Sequence, residues 1–158
     1  MEELELVIPT NEYAQEIMEL KEEVINDDSP FKYDGPFILY MSKDGKYFVE
    51  HCCIKENDPE GKVPSTMYLC VRKADHAIVG LIEFRHSIDH PVLSTYGGHI
   101  GYCVRPSERH KGYGTKMLAL CLKQMQSFGL KKILVTCQSI NVASKKVILN
   151  NVVFLNLV

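Results

Sequence analysis

The sequence predicts an α/β (α+β) fold, a mixed sheet with helices on both faces. Three observations carry that prediction. Apolar residues alternate at Leu4, Leu6 and Ile8, the two-residue period of a strand, and the apolar stretches Met67–Arg72 and Ala77–Arg85 flank a turn as the two strands of a hairpin. They recur at helical spacing at Tyr13, Ile17, Leu20 and Val24, and again at Met117, Leu118, Cys121, Leu122 and Met125. A strand–helix–strand succession from His99 to Cys137 can close as a right-handed parallel crossover.

Each element has its own punctuation. The first strand stops at Pro9, and Thr10 or Asn11 can cap a helix beginning near Glu12. Asp27-Asp28-Ser29-Pro30 ends it, because the residue before proline avoids the helical region. Residues 31–64 read as helix and loop, with helical stretches from Phe37 to Met41 and from Tyr47 to Ile54. Lys43–Lys46 and Asp58–Gly61 are the turns. Lys73–His76 joins the next two strands as a hairpin. His99 to Val104 is a further strand. A helix follows Gly112 and is capped near Phe128-Gly129. Lys132 to Cys137 is read as a strand, Ala143 to Leu149 as a short helix, and Val152 to Leu157 as a terminal apolar segment.

Bulk properties narrow the class. A chain of 158 residues is long enough for one domain with a real core. No apolar run approaches the roughly 20 residues that span a bilayer, and the acidic start MEELELVIP lacks a signal peptide's basic region. The six cysteines form no CxxC pair and lie mostly in apolar runs, as expected of small buried groups in a reducing cytoplasm. Charge is uneven: residues 1–60 hold 16 acidic and 5 basic residues, whereas residues 61–158 hold 4 and 13. A basic half suggests an anionic partner. Without aromatic interleaving or a recognition motif, nucleic acid is not the expected one.

The stretch Val104–Leu118 says where the anion goes. A strand, a loop and a helix beginning at Gly112 leave free backbone N–H groups at the strand's carboxyl end, where the helix dipole also favours negative charge. Gly112 and Gly114 permit close approach, Arg109 and Lys111 add charge, and Thr115 adds a hydroxyl. The dinucleotide fingerprint fails at Met117. The P-loop fails because Thr115-Lys116 follows Gly114.

Arg109-His110-Lys111-Gly112-Tyr113-Gly114 resembles the acyl-CoA pyrophosphate loop of the GNAT superfamily of N-acetyltransferases. Gly98 to Glu108, Val63-Pro64-Ser65-Thr66 and Ile78-Val79-Gly80 are similar to a bacterial branch of it. Asn141-Val142-Ala143-Ser144 resembles the family's N-x-A-S helix start. The resemblance implies a sheet splayed between the strand ending at Val104 and the stretch Lys132–Cys137, with acetyl-CoA as co-substrate in the gap and no metal. Backbone groups of Tyr102, Cys103 and Val104 would pair with the pantetheine arm. Amides of Arg109, His110, Lys111, Gly112, Tyr113, Gly114 and Thr115 would hold the diphosphate, and Asn141 would contact pantetheine from the other side.

Acetyl transfer to an amine needs a base for the ammonium proton, donors for the developing oxyanion and a proton for the leaving thiolate. Glu83 and His99 are the candidate bases, each with a plain structural alternative. His86 and His90 are four apart in a loop setting, which argues against a metal pair. The position that carries a general-acid tyrosine in many family members is Ile148 here, which leaves Ser144 or solvent as the donor. Val152-Val153 replaces the family's glycine pair, and the sequence stops a hairpin short of the usual length. The tail VVFLNLV would then be an edge able to pair with another chain in a homodimer.

The resemblance implies an N-acetyltransferase using direct transfer in a ternary complex. The acidic half, which helps wall the family's acceptor site, hints at a cationic small-molecule or lysine-type amine. The competing expectation is an acyl-CoA-binding module without catalysis.

Overall fold

The long hairpin predicted around Lys73–His76 is the centre of the sheet, and it buries both of its faces. A computed structural model describes residues 2–151. In it, β2 (Ser65–Arg72) pairs antiparallel with β3 (Ile78–Arg85). β1 (Leu4–Val7) adds to the outer side of β2, and β4 (Ile100–Val104) to the outer side of β3. The order is therefore β1-β2-β3-β4. Met67, Leu69, Val71, Ile78 and Leu81 face one side, while Cys70, Val79, Ile82 and Phe84 face the other. Val79 is an extra residue in the ladder, since Cys70 pairs with Gly80 and Val71 with Ile78. Such a bulge bends and twists a strand locally.

Helices cover both faces, as the sequence predicts. A short 3₁₀ turn, Asn11–Tyr13, leads into α1 (Ala14–Ile25), which seats Ile17, Leu20 and Val24 against the first face. Two short helices fill out that layer, α2 (Phe37–Met41) and α3 (Gly45–His51), contributing Leu39 and Phe48. The Asp44 side chain caps α3 by accepting the Tyr47 N–H at 2.7 Å. On the opposite face, α4 (Tyr113–Ser127) packs Met117, Leu118, Cys121 and Met125 onto β3 and β1. The α4 C-terminus closes through Gly129 at φ 94°. Asn141 caps α5 (Val142–Leu149), its Oδ1 accepting the Ser144 N–H at 3.1 Å.

The α/β class and the splay hold, but the expected parallel pairing does not form among the described residues. The predicted strand Lys132–Cys137 joins no ladder. Its hydrogen bonds at the head of β4 are made by Leu134: the Leu134 carbonyl accepts the His99 N–H at 2.8 Å, and the Leu134 N–H donates to His99 Nδ1 at 2.9 Å. Gly98, at φ 62° and ψ −164°, turns the chain just before β4. Beyond His99 the two segments diverge, and a strand-forming composition without a partner in reach makes no ladder. The predicted segment Val152–Leu157 lies outside the described residues.

Leu81 is fully buried at the centre of the first face. Leu81→Ala is expected to destabilise the fold by about 2–5 kcal/mol. Urea denaturation read by circular dichroism checks this, with the midpoint falling and the slope unchanged.

Candidate active site

The loop between β4 and α4 is shaped for an anion by its backbone. His110 and Gly112 both take left-handed conformations, φ 61° and 80°, and Gly112 is the N-cap of α4. Alternating handedness turns successive N–H groups toward one concavity. Among the described residues, the amides from His110 to Thr115 have no protein acceptor. They sit at the positive end of a 15-residue helix.

The side chains predicted to add charge there are already paired. Arg109 Nη1 donates to Asp27 Oδ2 at 2.6 Å, and Lys111 Nζ to Glu108 Oε2 at 2.8 Å. Burial opposes ionisation of Glu108, but bonds from Lys111 and Arg72 outweigh it and hold the carboxyl below its ordinary range. Tyr113 points into the core, its hydroxyl accepting from Arg72 Nη1 at 3.3 Å, so only its backbone faces the loop. Thr115 meets the residues just past α5: Asn150 Nδ2 donates to its hydroxyl at 3.5 Å and Asn151 Nδ2 to its carbonyl at 3.1 Å. The absent side chain of Gly114 leaves room for Val147 and Val104.

From that loop, the outer edge of β4, including Tyr102, Cys103 and Val104, runs into a cleft of about 750 Å³. The cleft lies between β4 and residues 134–139, and Ile148 and Leu149 of α5 help line it. Tyr102 and Ser144 reach toward each other, hydroxyl to hydroxyl, at 2.6 Å. Burial raises the Tyr102 pKa, with the Ser144 bond opposing the shift, and burial pushes the Cys103 thiol up to about 12. Asn141 uses its oxygen to cap α5, and its amide nitrogen makes no protein hydrogen bond among the described residues.

The two candidate bases stand differently. His99 is buried, and its Nδ1 lone pair is occupied by the Leu134 N–H. Neutral imidazole has a single acceptor nitrogen, so in this arrangement His99 ties the two sides of the cleft together and has no free lone pair for a proton. Glu83 Oε2 accepts from Arg85 Nη2 at 3.3 Å, and Oε1 carries no hydrogen bond among the described residues. Arg85 lines the cleft and Glu83 sits beside it. His86 and His90 are engaged separately, with Thr66 and the Val92 N–H.

Three contributors lie beyond the sequence reading. Arg85 Nη1 donates to the Gly97 and Gly98 carbonyls, each at 3.1 Å. Gln138 Nε2 donates to both Asp34 oxygens at 3.0 and 2.8 Å across the cleft mouth. Asn151 joins α5 to α4. The Glu83/Arg85 spacing of two residues on one strand was visible in the sequence; the other two contacts span long separations. The charge asymmetry also resolves internally. Glu3 pairs with Lys73, Glu16 and Glu23 with Arg105, and Asp27 with Arg109.

Residues 8–151 match the family model described as acetyltransferase (GNAT) domain, and the chain belongs to that acetyltransferase family. Its fold is similar to that of a Vibrio cholerae protein assigned as a ribosomal-protein-serine acetyltransferase. The TM-score is 0.62 at 16% identity, over 94% of this chain and 78% of that one. It is also similar to the Microcin C7 self-immunity acetyltransferase MccE, solved with acetyl-CoA and AMP. There the TM-score is 0.57 at 20% identity, over 94% and 77% of the two chains. No curated protein matches the sequence. No described helix is long and apolar enough to cross a membrane.

His99 generates a pH prediction. Burial, and then the Arg85 charge, hold its pKa below the ordinary 6.5. The unfolded chain therefore takes the proton first as pH falls, so this contribution is present above about pH 6.5 and lost below it. Hydrogen exchange at the Leu134 amide is expected to accelerate relative to β2 amides between about pH 7 and 5. His99→Asn, whose Oδ1 can accept the same N–H, is expected to flatten that dependence.

Proposed function

We propose that the chain is an acetyl-CoA-dependent N-acetyltransferase that moves an acetyl group directly to a primary amine within a ternary complex. The observation that carries this reading is the run of unpaired amides from His110 to Thr115, continuous with the free edge of β4 and the cleft beyond it. That sequence of features matches the three parts of the donor. The amides suit a diphosphate, the β4 edge at Tyr102–Val104 suits a pantetheine amide chain, and the cleft suits a thioester with its acceptor. The free amide nitrogen of Asn141 offers a further donor to pantetheine. MccE, with its bound acetyl-CoA, supports the same donor here.

The chain's own residues then divide the chemistry. Backbone N–H groups on the β4 edge stabilise charge on the acyl oxygen. The acceptor nitrogen bonds to the acyl carbon as the carbon–sulfur bond breaks, and the electron pair leaves on sulfur. Ser144 supplies a proton to that thiolate and is held by the Tyr102 hydroxyl, which can reprotonate it. Glu83 Oε1 takes the ammonium proton through an intervening water.

Ile148 is the one observation favouring an acyl-CoA-binding module without turnover, since an aliphatic group lines the cleft there. One experiment separates the two readings. Calorimetric titration with acetyl-CoA is expected to saturate. Gly112→Val, which forces a β-branched residue to φ 80°, is expected to weaken binding about tenfold or more. With an amine panel, release of free CoA marks the enzyme, and Ser144→Ala is expected to lower kcat roughly 10²-fold. Binding without CoA release from any amine would instead select the binding module.

A further inference from the structure

Resting on the acetyltransferase reading, we infer that the acceptor is an α-amino-acid-like amine whose carboxylate is held by Arg85. The Arg85 guanidinium lines the cleft with its side chain only 20% exposed. Three contacts fix its plane: the Gly97 and Gly98 carbonyls and Glu83 Oε2. Five N–H donors are available to a guanidinium. Two of them, Nε–H and the second on Nη2, have no protein acceptor among the described residues. A planar cation oriented this way with donors to spare suits a carboxylate.

The cleft floor is cut to let a ligand reach it. Gly101 pairs with Glu83 across β3 and β4. A Cβ there would stand 3.2 Å from Arg85 Nη2 and 3.9 Å from Glu83 Oε2. Glycine thus leaves open the space directly over both charged groups. The two are adjacent, as are the carboxylate and ammonium of an α-amino acid. Arg85 meets the carboxylate while Glu83 Oε1 receives the amine's proton through water.

Charge elsewhere points the same way. Glu16, Glu23 and Asp27, three of the carboxylates in the acidic half that hinted at a cationic acceptor, are paired with Arg105 and Arg109 and do not line the cleft. The charged residues lining it are Asp34, Arg85 and Lys145, and Asp34 is bound by Gln138. A polyamine would find little there to neutralise it. Nor is Arg85 placed for the coenzyme's phosphates. It bonds the Gly97–Gly98 end, whereas the amide array lies beyond Val104, more than about 10 Å along β4 at roughly 3.3 Å per residue.

The test uses the full chain and matched acceptors differing only in the carboxylate: L-phenylalanine and 2-phenylethylamine, L-histidine and histamine, L-leucine and isoamylamine. CoA release is expected to favour the carboxylate-bearing member by about tenfold or more in kcat/KM. Arg85→Gln is expected to erase that preference by raising KM about tenfold, with kcat within about threefold and acetyl-CoA affinity unchanged. In parallel, the Arg85 Nε–H resonance of the ¹⁵N-labelled wild type is expected to shift saturably with the amino acids and not with the amines. Equal use of both members, a preference that survives Arg85→Gln, or a silent resonance would overturn the proposal. Loss of acetyl-CoA affinity in Arg85→Gln would overturn it too, assigning the guanidinium to the coenzyme. The resonance arm needs neither turnover nor a variant. It therefore decides the Arg85 proposal even if wild type binds no acetyl-CoA, a result that sinks the acetyltransferase reading separately. Should Arg85→Gln fail to fold, Arg85→Lys keeps the charge, loses the fork and is expected to lose most of the preference.

Discussion

Helix α1 holds the anion loop in shape from outside, and the rest of the site depends on that grip. Arg105, at the end of β4, donates to Glu16 at 3.0 Å, to Glu23 at 2.7 Å and to the Ile78 carbonyl at 3.3 Å. Glu23 also accepts the Ser107 N–H, and Glu16 the Ile78 N–H. One turn further along, Asp27 holds Arg109. Burial works against ionisation of Glu23, but its bonds to Arg105 and Ser107 prevail and keep its pKa below 4.5. The partners constrain one another, so removing Arg105 would strand two half-buried carboxylates. A helix at the front of the chain thereby fixes a loop some eighty residues later, with its amides facing outward.

This division of labour changes the physical character of the anion site. With Arg109 and Lys111 paired to carboxylates, the attraction within the loop comes from oriented peptide dipoles and the α4 terminus, and the cation beside it is Lys116, bonded to the Glu2 carbonyl. Dipolar attraction fades within about a turn of the helix end, whereas free cations act over a Debye length of roughly 10 Å.

Much of this was legible in the sequence, for identifiable reasons. The hairpin and helices α1 and α4 bury wide apolar faces, so their periods are long and clean. The glycine and N-x-A-S motifs marked the loop and the α5 cap because backbone geometry demands particular residues there. Short helices α2 and α3 gave only a few informative positions each, and Asp44, read only as part of a turn, is the cap of α3. Two things were hidden. Aliphatic composition made Lys132–Cys137 read as a strand, but a ladder needs a neighbour, and the divergence from β4 is set by tertiary geometry. Charged residues were assigned to ligands because pairings such as Asp27–Arg109 leave no local trace. The same blindness made His99 a candidate base, since its lone pair is occupied by an amide 35 residues away.

The reciprocal bonds between His99 and Leu134 tie the two segments together at one end of the gap and leave them apart at the other. From the α4 end the free edge of β4 runs past Val104 and Tyr102 toward His99, where the two segments are tied together. The run from Val104 to Ile100 is about 13 Å at 3.3 Å per residue. On the acetyltransferase reading proposed above, that length of edge is what a donor anchored at the amides would run along, with Arg85 and the Gly97–Gly98 turn at its far end.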